Sequence, residues 1–386
     1  MEPLNPADAA FLDNPYPTYT RLRDEDPVHR EASGAWLLSR YDDVIGALRD
    51  PARFSSVSMN MGAPGFKFLI GSDPPDHTAL RRLVNRPFHP TAIAALEPRV
   101  RSICTELIDE FLTANEDGGA DVIGHLGYPL PVIVIAELLG IDAERREDFK
   151  RWSDAFVGGM SPDADRSRNA LAAMEMFAYF NEIIAARRER PGEDLISLLV
   201  SGKEPLDNQE LLMFCMLLLV AGNETTTNLV SNLTSVFFER PDIEARLRDD
   251  ASLIPLALEE TLRYDAPVQS LWRTTTTDVE IAERTIPGNS EVVVLYASAN
   301  RDPRRFKDAD TFVLERYAGV AVPDHVGFGS GIHQCLGAPL ARLEARVVFE
   351  ELLKRTRTIE GNGEPARVHN LIVRGLHRIP VRVEAA

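Results

Sequence analysis

Apolar residues recur at helical spacing along most of this chain, and polar positions separate them into segments of ordinary helix length. The pattern predicts helices over residues 14–26, 42–49, 77–84, 92–113, 130–139, 144–157, 167–189, 194–200, 208–239 and 253–264. Asp207 precedes the longest of these, whose first half holds the apolar run 211–221. Eleven residues are too few to span a bilayer, so that run reads as buried core. Strand-like runs are fewer and mostly late: 35–39, 273–277, 279–281, 291–297 and 378–383, with an Ile286-Pro287-Gly288-Asn289 turn between two of them. Many helices with a small β part are unlike a doubly wound sheet; the expected fold class is mainly α with small β-sheets. Residues 55–75 follow neither period. They carry Gly62, Pro64, Gly65, Gly71, Pro74 and Pro75, yet also Met59, Met61, Phe66, Phe68, Leu69 and Ile70. A loop this apolar either plugs the core or lines a cavity for an apolar ligand.

Composition narrows the function classes. At 386 residues the chain exceeds the size at which one core usually splits, but no linker or repeat divides it, so a single domain over 1–386 is expected. A net charge of −17 argues against a nucleic-acid partner. Three cysteines, Cys104, Cys215 and Cys335, make no disulfide framework and fit a reducing, cytoplasmic setting. Cys104 and Cys215 lie in apolar helical patterns and read as small core residues. The N-terminus lacks the basic and apolar regions of a signal peptide, and no membrane association is expected.

Cys335 is different. It lies in the Gly-rich stretch His325-Val-Gly-Phe328-Gly329-Ser-Gly331-Ile-His333-Gln-Cys335-Leu-Gly337, which runs into an Ala/Leu-rich helix. Phe, Gly, Cys and Gly at this spacing arise by chance on the order of once in a few thousand chains of this length. The glycines permit positive φ and close approach to something flat and bulky. A cysteine at a helix mouth has its thiolate favoured by the dipole and free N–H groups, and thiolate is one of the few axial ligands proteins offer to haem iron. A structural zinc site lacks a second ligand set at zinc spacing. Inside the longest helix, Ala221-Gly-Asn-Glu224-Thr225-Thr-Thr-Asn228 places hydroxyls and a carboxylate directly after the apolar run. Either this is a crossing point built from small residues, or it is a local widening with an acid and an alcohol positioned to pass protons. Glu260 and Arg263, three apart on one helix, can pair. His77 and Arg81 share a helix face, and Arg273 and His333 would complete a set of carboxylate-binding donors if the fold brings the four together.

Taken in order, these segments resemble the cytochromes P-450, the haem-thiolate monooxygenases, over essentially the whole length. Phe328–Gly337 is similar to the family's haem loop, Ala221–Thr226 to its oxygen-binding segment, and Glu260-Thr-Leu-Arg263 to its Glu-x-x-Arg pair. Asn300-Arg-Asp-Pro303 with Phe306, Phe312 and Arg316 resembles the segment before the haem loop. The resemblance implies one large haem domain with a long central helix. Heme b would be held by Cys335 as axial ligand, with Ala221, Phe328, Gly329 and Gly337 around it and His77, Arg81, Arg273 and His333 on its propionates. Thr225 and Glu224 would deliver protons. Glu260, Arg263 and Arg316 would form a buried structural network.

The same resemblance implies a reaction: one oxygen atom of O2 goes into a mid-sized apolar compound such as a fatty acid, terpenoid, steroid or macrolide-like molecule. Family geometry would line the substrate pocket with Phe68, Leu69, Leu217, Val268, Gln269, Leu271 and Ile372, with Gln269 and Ser270 orienting a polar group. Electrons would come from a separate ferredoxin and its NAD(P)H-dependent reductase, met by basic residues among Arg81, Arg82, Arg86 and Arg342. A soluble bacterial protein, monomeric, is the implied form. Two alternatives stay open: a peroxygenase driven by H2O2, and a haem-binding sensor without turnover. The Glu224-Thr225 pair argues against both.

Overall fold

The computed structural model describes residues 8–57, 69–141, 145, 148–149, 151–152, 155, 166–202 and 206–386. Its axis is the central helix, Asn208–Glu239. The Asp207 carboxylate accepts the Glu210 N–H at 2.7 Å and the Glu210 carboxylate accepts the Asp207 N–H at 3.1 Å, so two otherwise orphaned donors are satisfied reciprocally. Helices Pro129–Leu138, Arg166–Glu189, Ile254–Tyr264 and Ala338–Arg355 pack around it. Their inward faces merge into the largest apolar core, which includes Cys104 and Cys215, both fully covered. Among the described residues no helix is long and apolar enough to cross a membrane.

The expected mainly-α architecture is present, with local differences. The helix expected over 92–113 is two, Pro90–Ala94 and Glu97–Glu116, because Pro98 starts a new first turn instead of continuing the old one. The run 291–297 changes type: Glu291–Val294 is strand, and Tyr296–Asn300 is a short helix. Every residue of that helix is buried, so the run shows no periodicity by which to tell helix from strand. The strand expected over 378–383 is split at Pro380: Arg378 ends the strand Leu376–Arg378, and a second strand runs Val381–Ala385. Helix Pro241–Asp249, led by its proline, was not visible in the pattern. The segment 144–157 falls largely outside the described residues.

One five-stranded sheet matters for the site. Its strands lie in the order Val28–Arg30, Trp36–Leu38, Glu291–Val294, Leu271–Thr275 and Phe54–Ser55. Only Trp36–Leu38 and Glu291–Val294 run parallel. Arg273, opposite Val292, is thereby fixed on an interior strand and buried.

Candidate active site

The cysteine loop is held from both ends. The Val326 N–H donates to the Asn300 side chain at 2.7 Å, and the Cys335 N–H donates to the Phe328 carbonyl at 2.9 Å. The Cys335 sulfur accepts the N–H groups of Gly337 and Ala338, at the start of helix Ala338–Arg355. This is the expected cysteine at a helix mouth. Burial nevertheless pushes the thiol's pKa up, against those two N–H groups and the charges of Arg81 and Arg342. A coordinating metal removes that proton outright. The side chain is accessible even though protein surrounds it closely enough to desolvate it, so it faces an internal cleft and not bulk water. Ala221 is likewise exposed within a helix whose neighbouring Leu219 and Asn223 are buried.

Gly329 and Gly331 take positive φ as expected, and Gly337 does not. Gly331 has φ of 72°, and a Cβ there would lie 2.4 Å from the Leu48 carbonyl, so its close approach is to another backbone. Gly337 does not take positive φ; at −81° it is the N-cap of the helix.

The fold does gather the four proposed donors. The His77 and His333 rings lie 4.3 Å apart. Burial first, then the charges of Arg273, His77 and Arg81, pushes the His333 imidazole down to about 3. Burial likewise lowers the pKa of Arg81 and His77. The Nε2 atoms of both histidines are buried with no hydrogen-bond partner among the described residues. Two orphaned imidazole nitrogens beside two guanidinium groups suit a pair of carboxylates, which is what haem propionates provide; the residues fit the group.

On the central helix, the Thr225 hydroxyl donates to the Ala221 carbonyl at 2.8 Å and Thr226 to Gly222 at 3.0 Å. The helix is not interrupted there. Thr227 instead reaches across to the Gly127 carbonyl at 2.9 Å, so this stretch is also a helix crossing. Glu224 and Thr225 are half-buried, while Thr226 and Thr227 are covered. Sequence reasoning missed Glu344, a carboxyl that packs into the core beside Thr226. Its signal was one acid inside the apolar spacing of Leu340, Leu343 and Val347. Burial raises it to about 8, partly offset by its hydrogen bond with Thr226. A carboxyl raised from 4.5 keeps its proton in the fold while the unfolded chain loses it, so this contribution to stability is full below pH 4.5 and lost as pH rises to about 8. Glu344→Gln should therefore melt close to the parent at pH 4.5 and above it at pH 8, in paired thermal melts.

The Glu260–Arg263 pair is completely buried. Arg263 donates to both Glu260 oxygens at 2.8 and 2.9 Å, and to the carbonyls of Asn300, Ala309 and Thr311. Arg316 adds two bonds to Glu260 at 3.0 and 3.1 Å. The chain reaches the cysteine loop through Asn300, whose side chain holds Val326.

The substrate candidates divide. Val268 bridges Val373, and the Gln269 N–H donates to the Ile372 carbonyl at 2.7 Å, so Val268 and Ile372 are neighbours, with Leu271 at the start of the adjoining strand. Leu217 is one turn before Ala221 and half-buried. Leu69 packs into the main core. Phe68, with Met59, Met61 and Phe66, lies outside the described residues. Gln269 turns elsewhere: its amide donates to the Ala266 carbonyl at 2.7 Å, and it lines a small crevice with Phe11, Tyr19 and Arg374. Ser270 donates to the Leu371 carbonyl at 3.2 Å. Of the four surface arginines expected to meet a partner, Arg82 and Arg86 are exposed; Arg81 is drawn inward toward His333 and Cys335, and Arg342 is paired with Glu259.

Comparison with known proteins places this site in context. The family model described as Cytochrome P450 matches residues 37–379. The cytochrome P450 monooxygenase PikC of Streptomyces venezuelae is 40% identical, over 96% of this chain and 92% of that one. The vitamin D(3) 25-hydroxylase of Pseudonocardia autotrophica is 38% identical, over 96% and 94%. The crystal structure of CYP109E1 from Bacillus megaterium in complex with testosterone superposes with a TM-score of 0.87 at 36% identity, covering 97% of this chain and 98% of that one. A cysteine at a helix mouth beside a nest of carboxylate donors, a buried Glu-x-x-Arg network and near-full-length similarity to these enzymes agree: the chain belongs to the cytochrome P450 family of haem-thiolate monooxygenases.

Proposed function

We propose that this monooxygenase inserts one oxygen atom of O2 into a mid-sized apolar compound, by hydroxylation or epoxidation of a fatty acid, terpenoid, steroid or macrolide-like molecule. The observation that carries the reading is the convergence of His77, Arg81, Arg273 and His333 around two orphaned imidazole nitrogens, near the Cys335 sulfur. Haem held there supplies O2 binding and activation. Cys335 would ligate its iron through the thiolate, with the Gly337 and Ala338 N–H groups orienting the sulfur. The four donors would hold the propionates; charged hydrogen bonds contribute about 1.5–3 kcal/mol each. The half-buried apolar side chains of Leu217, Val268, Leu271 and Ile372 exclude water and favour an apolar substrate. A relative named as a vitamin D(3) hydroxylase and a neighbour solved with testosterone support that class.

Protons reach the reacting oxygen through Glu224 and Thr225. The Thr225 hydroxyl has one internal acceptor, the Ala221 carbonyl, and a turn about χ1 frees its proton for another. Thr225→Ala should keep consuming NADPH while product formed per NADPH falls about a hundredfold and peroxide rises, at the low end of the usual range for a lost acid–base group. Unchanged coupling would remove Thr225 from the proton path. Full turnover on H2O2 alone, unaffected by the substitution, would favour the peroxygenase reading instead. Electrons come from a separate ferredoxin and its NAD(P)H-dependent reductase, with exposed Arg82 and Arg86 in the docking face. The protein works as a monomeric single haem domain in the cytoplasm.

A further inference from the structure

Three side chains that the proposed mechanism leaves unused meet beneath the cysteine loop. Glu259 is largely buried and accepts from Arg342 Nη2 at 2.9 Å and Arg342 Nε at 2.5 Å, and pairs with His325 Nε2 at 2.8 Å. The Gly327 N–H donates to His325 Nδ1 at 3.1 Å. A nitrogen that accepts a backbone N–H carries no proton, so the proton of His325 lies on Nε2 and points at Glu259. Within this trio, therefore, Glu259 is balanced by one full charge, that of Arg342. Burial works the other way, yet the bonds from Arg342 and His325 hold Glu259 down at about 2, so it is ionised throughout the working pH range.

The trio touches the haem loop at Phe328. The Arg342 guanidinium lies 4.4 Å from the Phe328 ring centroid, and the His325 ring lies 6.3 Å from it. Phe328 in turn accepts the Cys335 N–H through its carbonyl. Gly327, between them, has no room for a side chain: a Cβ would lie 2.8 Å from the Leu262 carbonyl. Arg342 is also close enough for its charge to act on the Cys335 sulfur.

We propose that Glu259 and Arg342, oriented by His325, form a balanced charge pair that positions Phe328 against the cysteine loop and sets the reduction potential of the iron ligated by Cys335. They are positioning residues, since neither touches the reacting atoms. The proposal rests on Cys335 ligation, and its physical content is a sign. Reduction adds negative charge at the iron, so an uncompensated Arg342 favours the ferrous state and an uncompensated Glu259 opposes it.

The test is a spectroelectrochemical titration of the holoprotein, with the CO-bound spectrum recorded on each variant. Glu259→Gln should raise the ferric-to-ferrous equilibrium constant and Arg342→Gln should lower it, each by about tenfold, which is about 59 mV for a one-electron couple. The double variant, neutral at both positions, should return close to the parent. Arg342→Lys, which keeps the charge and loses the flat contact with Phe328, should stay on the parent's side of Arg342→Gln. Shifts of the same sign in both single variants, or no shift in Arg342→Gln, would overturn the proposal. Glu259→Gln buries an unbalanced cation and is the variant at risk of not folding; Arg342 is partly exposed, so Arg342→Gln and Arg342→Lys decide the matter alone if it fails. A parent whose CO complex lacks the thiolate band would instead refute Cys335 ligation, a separate failure read from the spectrum.

Discussion

Cys335→His is expected to abolish monooxygenation, by at least about a thousandfold, even in molecules that retain haem. The thiolate is the ligand that pushes electron density toward O–O cleavage, and a neutral imidazole does not replace that push. The site is also shaped for sulfur: the Gly337 and Ala338 N–H groups both point at it. An imidazole nitrogen bound to iron has no lone pair left for those donors, so two N–H groups at the helix start would lose their partner. Product formation with a saturating electron donor reads the loss. The CO complex of the reduced protein reads its cause: the far-red Soret band of thiolate-ligated haem in the parent, and an ordinary imidazole-type band in the variant. An imidazole-type band in the parent would remove Cys335 from the iron.

Arg263→Ala is expected to remove the folded holoprotein, which separates it from Thr225→Ala, where haem content should be normal. Arg263 is wholly buried and donates to two carboxylate oxygens and three carbonyls. Removing one partner of a buried pair costs about 3–5 kcal/mol, a large part of the 5–15 kcal/mol that holds a typical domain together. Glu260 would keep Arg316, but the carbonyls of Asn300 and Ala309 would lose a donor. Asn300 holds Val326, so the damage passes into the cysteine loop. Haem content per polypeptide and the melting temperature measure the effect. Arg263→Lys should rescue little, because three donors on a flexible stem do not reproduce a planar fork of five. Parent-like haem content and melting in Arg263→Ala would show that the network is dispensable.

Much of this architecture was legible before any coordinates. The helical period over 208–239 and the acid that caps it are local properties, and the helix formed with those bounds. Where the reading slipped, local signals were silent or shared. The run after Glu291 is apolar on every face, so its passage from strand to helix at Tyr296 left no mark in the pattern. Pro98 was visible, but continuous apolar spacing on either side of it favoured one helix. Gln269 read as a substrate contact from the family resemblance; its side chain instead donates to the Ala266 carbonyl and lines a crevice with Phe11.

The sequence by itself determined the reaction class, because the chemistry depends on residue types at short, fixed spacings: a thiol at a helix mouth, an acid next to an alcohol, a glutamate three residues before an arginine. Local backbone geometry carries such spacings into space without help from the rest of the fold. Tertiary structure alone decided which distant groups share a dielectric environment. His77 and His333 are 256 positions apart and 4.3 Å apart between rings. Glu344 became a protonated core carboxyl, Arg81 left the surface for the donor cluster, and Glu259 found Arg342 and His325. Burial and charge pairing depend on what the packing places around a group, and no spacing along the chain encodes that.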